Sequence, residues 1–512
     1  MAEPQPARAE PVRSVVIVGG GTAGWMSAAA LAKLLGPRLF IRLVESDAIG
    51  TIGVGEATIP AIKIFNQALE IHENDFVAAT QGTFKLGIQF DGWSRPGVRY
   101  MHGFGRIGQN LGWLRTHQYW LKARALGQAS DFSVYSINTA AALRNRFMPA
   151  RPELASSPLR EIAYAYHFDA SLYAKFLRRY AEARGVVRTE GKVVGTELRS
   201  ENGFLDAIVL ESGERITADL FIDCSGLVGL LIEKALGVGY EDWSRFLPCN
   251  RALAAPCASV TPLTPYTRAT ARSAGWQWRI PLQHRIGNGY VYCSDFISDD
   301  DAKAELLGNL DAAPMADPRP IKFVTGKRKQ LWSRNVVAVG LSGGFLEPLE
   351  STSIHLTQTA ILRLVGLFPD KAFRESDIAE FNAQVDLEYE RVRDFLVAHY
   401  RIGQREDTPF WKHCRTLPIP DALARKMANF AGAGRVFKDG EELFDVESWI
   451  QVFIGQDFIP ASWDPAVELR SDAEILSYLK NIEAVNAQCV EVIPDHADYI
   501  RRTCSAAQAA TQ

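Results

Sequence analysis

SVVIVGGGTAGW, residues 14–25, decides the fold of this chain. Ser14 to Val18 is an apolar run of strand length, and Gly19, Gly21 and Gly24 follow it as G-x-G-x-x-G. Trp25 to Leu35 then carries apolar positions at helical spacing. Leu39 to Val44 is a second apolar strand ending at Glu45, 21 residues beyond Gly24. Strand, glycine turn, helix, strand is a βαβ opening. The glycines allow a tight turn and let the backbone approach a pyrophosphate. The helix N-terminus offers that anion free N–H groups and the positive end of its dipole. A carboxylate placed like Glu45 meets a ribose hydroxyl. The pattern predicts an α/β chain with a Rossmann-like dinucleotide site.

Two later segments favour FAD as the dinucleotide. ADLFIDCSG at Ala218 to Gly226 and NVVAVGLS at Asn335 to Ser342 are strands ending in small-residue turns, of the kind that return flavoprotein chains to the cofactor. No second G-x-G-x-x-G is present for a nicotinamide cofactor, so reduced flavin is expected from a separate reductase. Because these elements recur early, in the middle and late, the FAD domain is expected to be discontinuous over 14–355, with a β-rich substrate layer inserted at about 230–330. Residues 356–512 read as a mostly helical region covering the substrate. Residues 1–13, rich in Pro, Ala and Glu, read as a loose tail. Residues 60–83 look helical, and Phe168 to Arg184 reads as an amphipathic helix. Thr83 to Phe90 alternates as one strand, with Phe84, Leu86, Ile88 and Phe90 on one face and Lys85, Gly87 and Gln89 on the other. Phe204 to Leu210 and Glu214 to Ile222 read as strands around a Ser-Gly turn.

Composition narrows the class. The chain has 512 residues and a net charge of -3, which argues against a nucleic-acid binder and a polybasic membrane anchor. No apolar run reaches the roughly 18–20 residues of a membrane span, and the N-terminus has no secretory h-region. The seven Cys form no C-x-x-C pair, which fits a reducing cytoplasm and argues against a metal site.

Near residue 350 the chain reads FLEPLESTSI, from Phe345 to Ile354, ahead of an amphipathic helix over roughly 353–367. Ser351 and Thr352 are good N-cap residues. The first helical turn is expected to offer free N–H groups to an anion or a flavin edge, with the Glu350 carboxylate just before it. Glu350 could equally serve the helix dipole alone.

Together these motifs resemble the flavin-dependent tryptophan-halogenase family. GGGTAGW at Gly19 to Trp25, GVGEATIP at Gly53 to Pro60, GWQWRIP at Gly275 to Pro281 and FLEPLESTSI occur in the family's order. TFKLGIQFDGW at Thr83 to Trp93 and YMHGFG at Tyr100 to Gly105 also fit. Trp-x-Trp-x-Ile-Pro is the most specific of them, and the likeness spans roughly Ser14 to Pro460.

The resemblance implies an FAD-binding fold of the flavin monooxygenase type. It implies that FADH2 and O2 give a flavin hydroperoxide, which oxidises halide to hypohalous acid. The acid then crosses a tunnel to an electron-rich aromatic. Lys85 is implied as the residue that captures or polarises the oxidant, and Glu350 as its acidic partner. The amides of Thr352 and Ser353 match halide-binding positions. Flavin contacts map to Gly21, Thr22, Ala23, Gly24, Ala57, Val193, Leu341 and Ile354, beside Gly19 and Glu45 read above. Trp276 and Trp278 are implied as a wall between flavin and substrate, and His102 and Phe104 as substrate-side residues. Lys85 could form a haloamine as an amine or donate a hydrogen bond as an ammonium, with small Gly87 leaving room for a passage beside it. Glu350 could hold the proton lost from the ring, and Glu347 is its local competitor.

The likeness has a gap. Tryptophan-specific members hold the amino-acid group with a Tyr-Tyr pair and a following Glu, whereas GAGRVFKDGEELFDVESW at 432–449 has no Tyr pair. Indole, a substituted indole or a phenol-like ring is therefore expected ahead of free L-tryptophan. Ser353 stands where tryptophan halogenases often carry Gly. Bromide or chloride is left open, bromide being easier to oxidise, and so is a homodimer. The rival readings are an aromatic hydroxylase and a non-catalytic FAD-binding protein.

Overall fold

A computed structural model describes residues 10–49 and 55–506. Residues 1–9 of the expected tail, and Gly53 and Val54 of the GVGEATIP motif, lie outside the described residues. The rest of that tail is anchored. Pro11 bridges Asp370, the Lys371 amide donates to the Glu10 carbonyl, and Val12 is buried.

Apolar runs without alternation need cover on both faces, and the first sheet supplies it. Six strands lie in the order Trp332–Ser333, Val336–Ala338, Leu220–Asp223, Ser14–Val18, Phe40–Glu45 and Val187–Glu190. All pairs are parallel except the outermost, where Trp332–Ser333 runs antiparallel. Strands from the beginning, middle and later part of the chain thus share one sheet. The helix Thr22–Leu34 packs on the helices Ala170–Glu182 and Ser353–Gly366. It begins at Thr22 rather than Trp25, because the glycine turn itself winds its first residues. The helix Ser353–Gly366 runs across the expected boundary at 355.

The stretch Glu214 to Ile222 splits in two. Arg215–Thr217 pairs with Leu205–Leu210, while Leu220–Asp223 joins the parallel sheet. The break is at Asp219, whose carboxylate accepts from the Arg13 and Ser14 amides.

The expected single strand from Thr83 to Phe90 is also two strands. Thr83–Lys85 pairs with Ala165–Asp169 in a three-stranded sheet that includes Gly55–Ala57. Gly87–Asp91 pairs with Thr267–Arg272 and Arg99–Gly103 in an eight-stranded sheet. That sheet continues through Gly275–Pro281, Arg285–Tyr292 and Arg251–Ala254. That sheet therefore draws on strands before 230 as well as on strands from the region 230–330. The space beside Gly87 is no passage. A Cβ there would stand 2.4 Å from the His102 carbonyl oxygen, so this glycine lets two strands close together.

After residue 366 the chain is helical. The long helix Glu375–Arg401 carries Phe395, His399 and Tyr400, all buried, towards the ends of the eight-stranded sheet. No helix among the described residues is long and apolar enough to cross a membrane.

Candidate active site

The glycine turn opens onto a cavity of about 560 Å³, within the usual size range of ligand sites. Gly19, Gly21, Thr22, Ala23 and Glu45 line one end of it. Ala57, Val193, Leu341, Ile354 and Trp278 also line it. Gly19 has φ +114°, and no atom lies within 4 Å of where a Cβ on Gly21 would sit. A group of the length and charge of a flavin dinucleotide fits this cradle. Its pyrophosphate would lie against the N-terminus of Thr22–Leu34. Glu45 lies over the turn, so close that a Cβ on Gly20 would overlap its carboxylate, and it accepts from Arg188 Nε at 2.5 Å. Gly24 does not line the cavity. A Cβ there would stand 1.9 Å from the Gly19 carbonyl oxygen, so Gly24 sets how closely the helix packs on the strand. Gly24→Ala is expected to push the helix off the turn, weaken flavin binding at least tenfold and destabilise the fold by about 1–3 kcal/mol. Fluorescence titration with FAD and a thermal melt check this.

Lys85 lies beyond the cavity wall. Its amine is fully buried and donates to the Thr58 carbonyl at 2.9 Å and to Ser351 Oγ at 2.8 Å. It stands 5.3 Å from the centroid of the Phe104 ring. Burial pushes its pKa down to about 7, against a smaller upward pull from Glu350. Lys85 does not itself line the flavin cavity, but Ser351 does. Ser351 adopts the left-handed conformation, with φ 59°. Its hydroxyl is turned to Lys85 instead of capping the following helix.

The expected side-chain caps are absent. Thr352 is the N-cap of Ser353–Gly366 but makes no side-chain cap bond, and its buried hydroxyl has no hydrogen-bond partner. What the helix start offers is backbone, since its first N–H groups have no intrahelical acceptor. Ser353 lines the cavity, and Thr352 lies buried behind it.

The two acidic candidates occupy different environments. Glu350 is buried, with His102 Nδ1 at 3.0 and 2.9 Å from its two oxygens and His399 Nε2 at 2.9 Å from Oε1. Burial opposes its charge, but the two histidines outweigh that and hold the carboxyl down at about 2. Glu347 accepts from Trp276 Nε1 at 2.9 Å and the Tyr400 hydroxyl at 2.5 Å. Desolvation, with no cation to offset it, pushes Glu347 up to about 7. Trp276 therefore sits behind the wall holding Glu347, while Trp278 and Ile280 face the cavity. His102 and Phe104 project from one face at the end of strand Arg99–Gly103. His102 lies against Glu350, and Phe104 against the Lys85 amine. In the segment without the Tyr pair, Phe444 stacks on Phe395 at 3.8 Å and lies 6.4 Å from the His102 ring.

The fold thus joins Lys85, Phe104, His102 and Glu350 in one buried cluster, and keeps Glu347 and Trp276 apart from them. Sequence reasoning missed Ser351 as the link to the cavity, although it lies inside FLEPLESTSI. It also missed His399, which carries no motif and arrives on a distant helix.

Comparison with known proteins agrees with this architecture. The profile of the tryptophan halogenase family matches residues 14–472. Tryptophan 6-halogenase SttH of Streptomyces toxytricini is 35% identical, over 95% of this chain and 97% of that protein. Among solved structures, Xcc4156, a flavin-dependent halogenase from Xanthomonas campestris, superposes with a TM-score of 0.94 at 47% identity, covering 98% of this chain and 99% of that one. BrvH, a flavin-dependent halogenase from Brevundimonas sp. BAL3, superposes with a TM-score of 0.92 at 46% identity, covering 96% and 99%. The fold is the FAD-binding Rossmann-like fold of these enzymes, and the chain belongs to the tryptophan halogenase family of flavin-dependent halogenases.

Proposed function

We propose that the protein uses FADH2, O2 and a halide to halogenate an indole or related electron-rich ring, with hypohalous acid directed by Lys85. One observation carries this reading. The buried Lys85 amine is hydrogen-bonded to Ser351, a residue of the flavin cavity, on one side, and faces Phe104 on the other.

When bound, reduced flavin would supply the two electrons that activate O2, which would then oxidise halide to hypohalous acid. The free amides of Thr352 and Ser353 at a helix N-terminus suit a halide ion. Trp278 and Ile280 close the cavity with apolar surface and keep a substrate ring from the flavin. An ammonium has three N–H donors. Thr58 and Ser351 take two of them at Lys85, which leaves the third to polarise the oxidant's oxygen. Glu350, ionised and nearby, favours that ammonium. A separate flavin reductase supplies FADH2. Without the tyrosine clamp, and with Phe444 packed on Phe395 in that segment, bare indoles suit the site better than free L-tryptophan.

Mass spectrometry tests the reading. Indole, tryptophan and phenol panels are incubated with FAD, a flavin reductase, NADH, O2 and bromide or chloride. A mono-halogenated indole, with little product from tryptophan, is expected. A hydroxylated ring, or no product on any ring, overturns the proposal.

A pH dependence follows from the Lys85 environment. The ammonium form prevails below about 7 and is lost above it, so halogenation at saturating reduced flavin falls as pH rises through that value. Glu350, held down at about 2, stays ionised throughout. A rate that instead rises through pH 7 assigns the work to the neutral amine and a haloamine.

A further inference from the structure

We propose that His102, oriented by Glu350, is the base that takes the proton from the halogenated ring. The proposal rests on the halogenation reading above and adds the identity of the proton acceptor.

The hydrogen-bond geometry carries the argument. An ionised carboxylate only accepts, so His102 Nδ1, within 3.0 Å of both oxygens of Glu350, must be the protonated nitrogen. In a neutral ring the lone pair then lies on Nε2. Nε2 makes no hydrogen bond with the described residues and is not among the buried atoms lacking partners. This is the carboxylate–imidazole arrangement that selects one tautomer and stabilises the imidazolium formed when the ring takes a proton. Glu350 itself is poorly placed to be the base. His102 lies against both its oxygens, and His399 Nε2 stands 2.9 Å from Oε1. His399 is in turn fixed by its Nδ1 against the Phe395 carbonyl at 2.8 Å. His102 shares a strand face with Phe104, beside which the Lys85 amine lies, so oxidant and base address the same space.

The step balances. The ring carbon attacks the halogen of hypohalous acid, so a carbon–halogen bond forms and the oxygen–halogen bond breaks. The departing hydroxide takes a proton from the Lys85 ammonium and leaves as water. The C–H bond at the halogenated carbon then breaks, its electrons restore aromaticity, and its proton goes to His102 Nε2. One proton is lost at Lys85 and one gained at His102. Glu350, which lies against His102 and pulls on Lys85, holds both charges in one cluster.

His102→Asn tests the assignment, because asparagine can keep a donor to Glu350 at the Nδ1 position while removing Nε2. The kcat of wild type and variant is measured separately on protiated and ring-deuterated indole. Wild type is expected to be insensitive to deuterium. The variant should bind FAD normally, lose roughly 10²-fold or more in kcat, and run slower still on the deuterated ring. Slow turnover without deuterium sensitivity gives His102 a structural role only and overturns the proposal, as does turnover near the wild-type rate. Wild type that halogenates nothing sinks the functional reading instead. If His102→Asn fails to bind FAD, His102→Gln, which can likewise donate to Glu350 but has no imidazole base, is measured in the same way, and the same outcomes decide.

Discussion

Replacing Lys85 by methionine leaves a protein that folds and binds flavin but halogenates at least about 10³-fold more slowly. The amine does not line the flavin cavity, so FAD affinity measured by fluorescence stays within a few-fold of wild type. Stability should hold or rise. Lysine ordinarily titrates at 10.5, and burial lowers Lys85 to about 7, a cost of roughly 5 kcal/mol in the charged form. The sign follows from linkage. The unfolded chain binds this proton more readily than the folded one, so the cost is full below about pH 7 and fades as pH rises to 10.5. Methionine removes that cost together with the smaller pull of Glu350, whose carboxylate keeps its contacts with His102 and His399. The melting temperature of Lys85→Met at pH 6 should equal or exceed that of wild type, with the difference shrinking towards pH 10. A lower melting temperature at pH 6 would refute the burial argument, and retained halogenation would refute the role.

Glu350→Gln is expected to harm both activity and stability. Its carboxylate orients His102, lies against His399 and favours the Lys85 ammonium, all three residues being buried. Breaking a buried pair costs about 3–5 kcal/mol, and losing the orientation of His102 adds roughly 10²-fold in rate. Glu350 is held at about 2 against an ordinary 4.5. Its contribution is therefore full above 4.5 and lost as pH falls towards 2, so the melting difference between wild type and variant should narrow under acid. Glu347→Gln is the control. Below about pH 7 that side chain is protonated, and glutamine keeps an oxygen for the Trp276 and Tyr400 donors. A change under about 1 kcal/mol is expected. Equal damage from both substitutions would mean that the cluster around Glu350 has no special electrostatic role.

The outcome at each residue shows what kind of information it carried. Gly19, Gly21 and Glu45 were legible because a glycine turn between strand and helix is a local device, and the residues that make it adjoin in the chain. Apolar runs such as Ser14 to Val18 likewise announced a sheet covered on both faces. Thr83 to Phe90 misled, because strict alternation says that a strand has two faces but not which sheet owns it. The chain changes sheets at Leu86, whose amide bonds to Pro265 far along the sequence. Ser351 looked like a helix cap, and only Lys85 arriving from another sheet drew its hydroxyl away.

From the sequence alone came the dinucleotide turn, the family motifs and the four residues of the buried cluster, Lys85, His102, Phe104 and Glu350, since each lies in a short-range pattern. The tertiary structure alone decided that Lys85 meets the cavity through Ser351, that the carboxyl of Glu350 is pushed down and that of Glu347 up, and that His102 presents its second nitrogen. Those facts depend on burial and on charges brought together from distant elements, and electrostatic energies in a dry interior are set by distance in space rather than by separation along the chain.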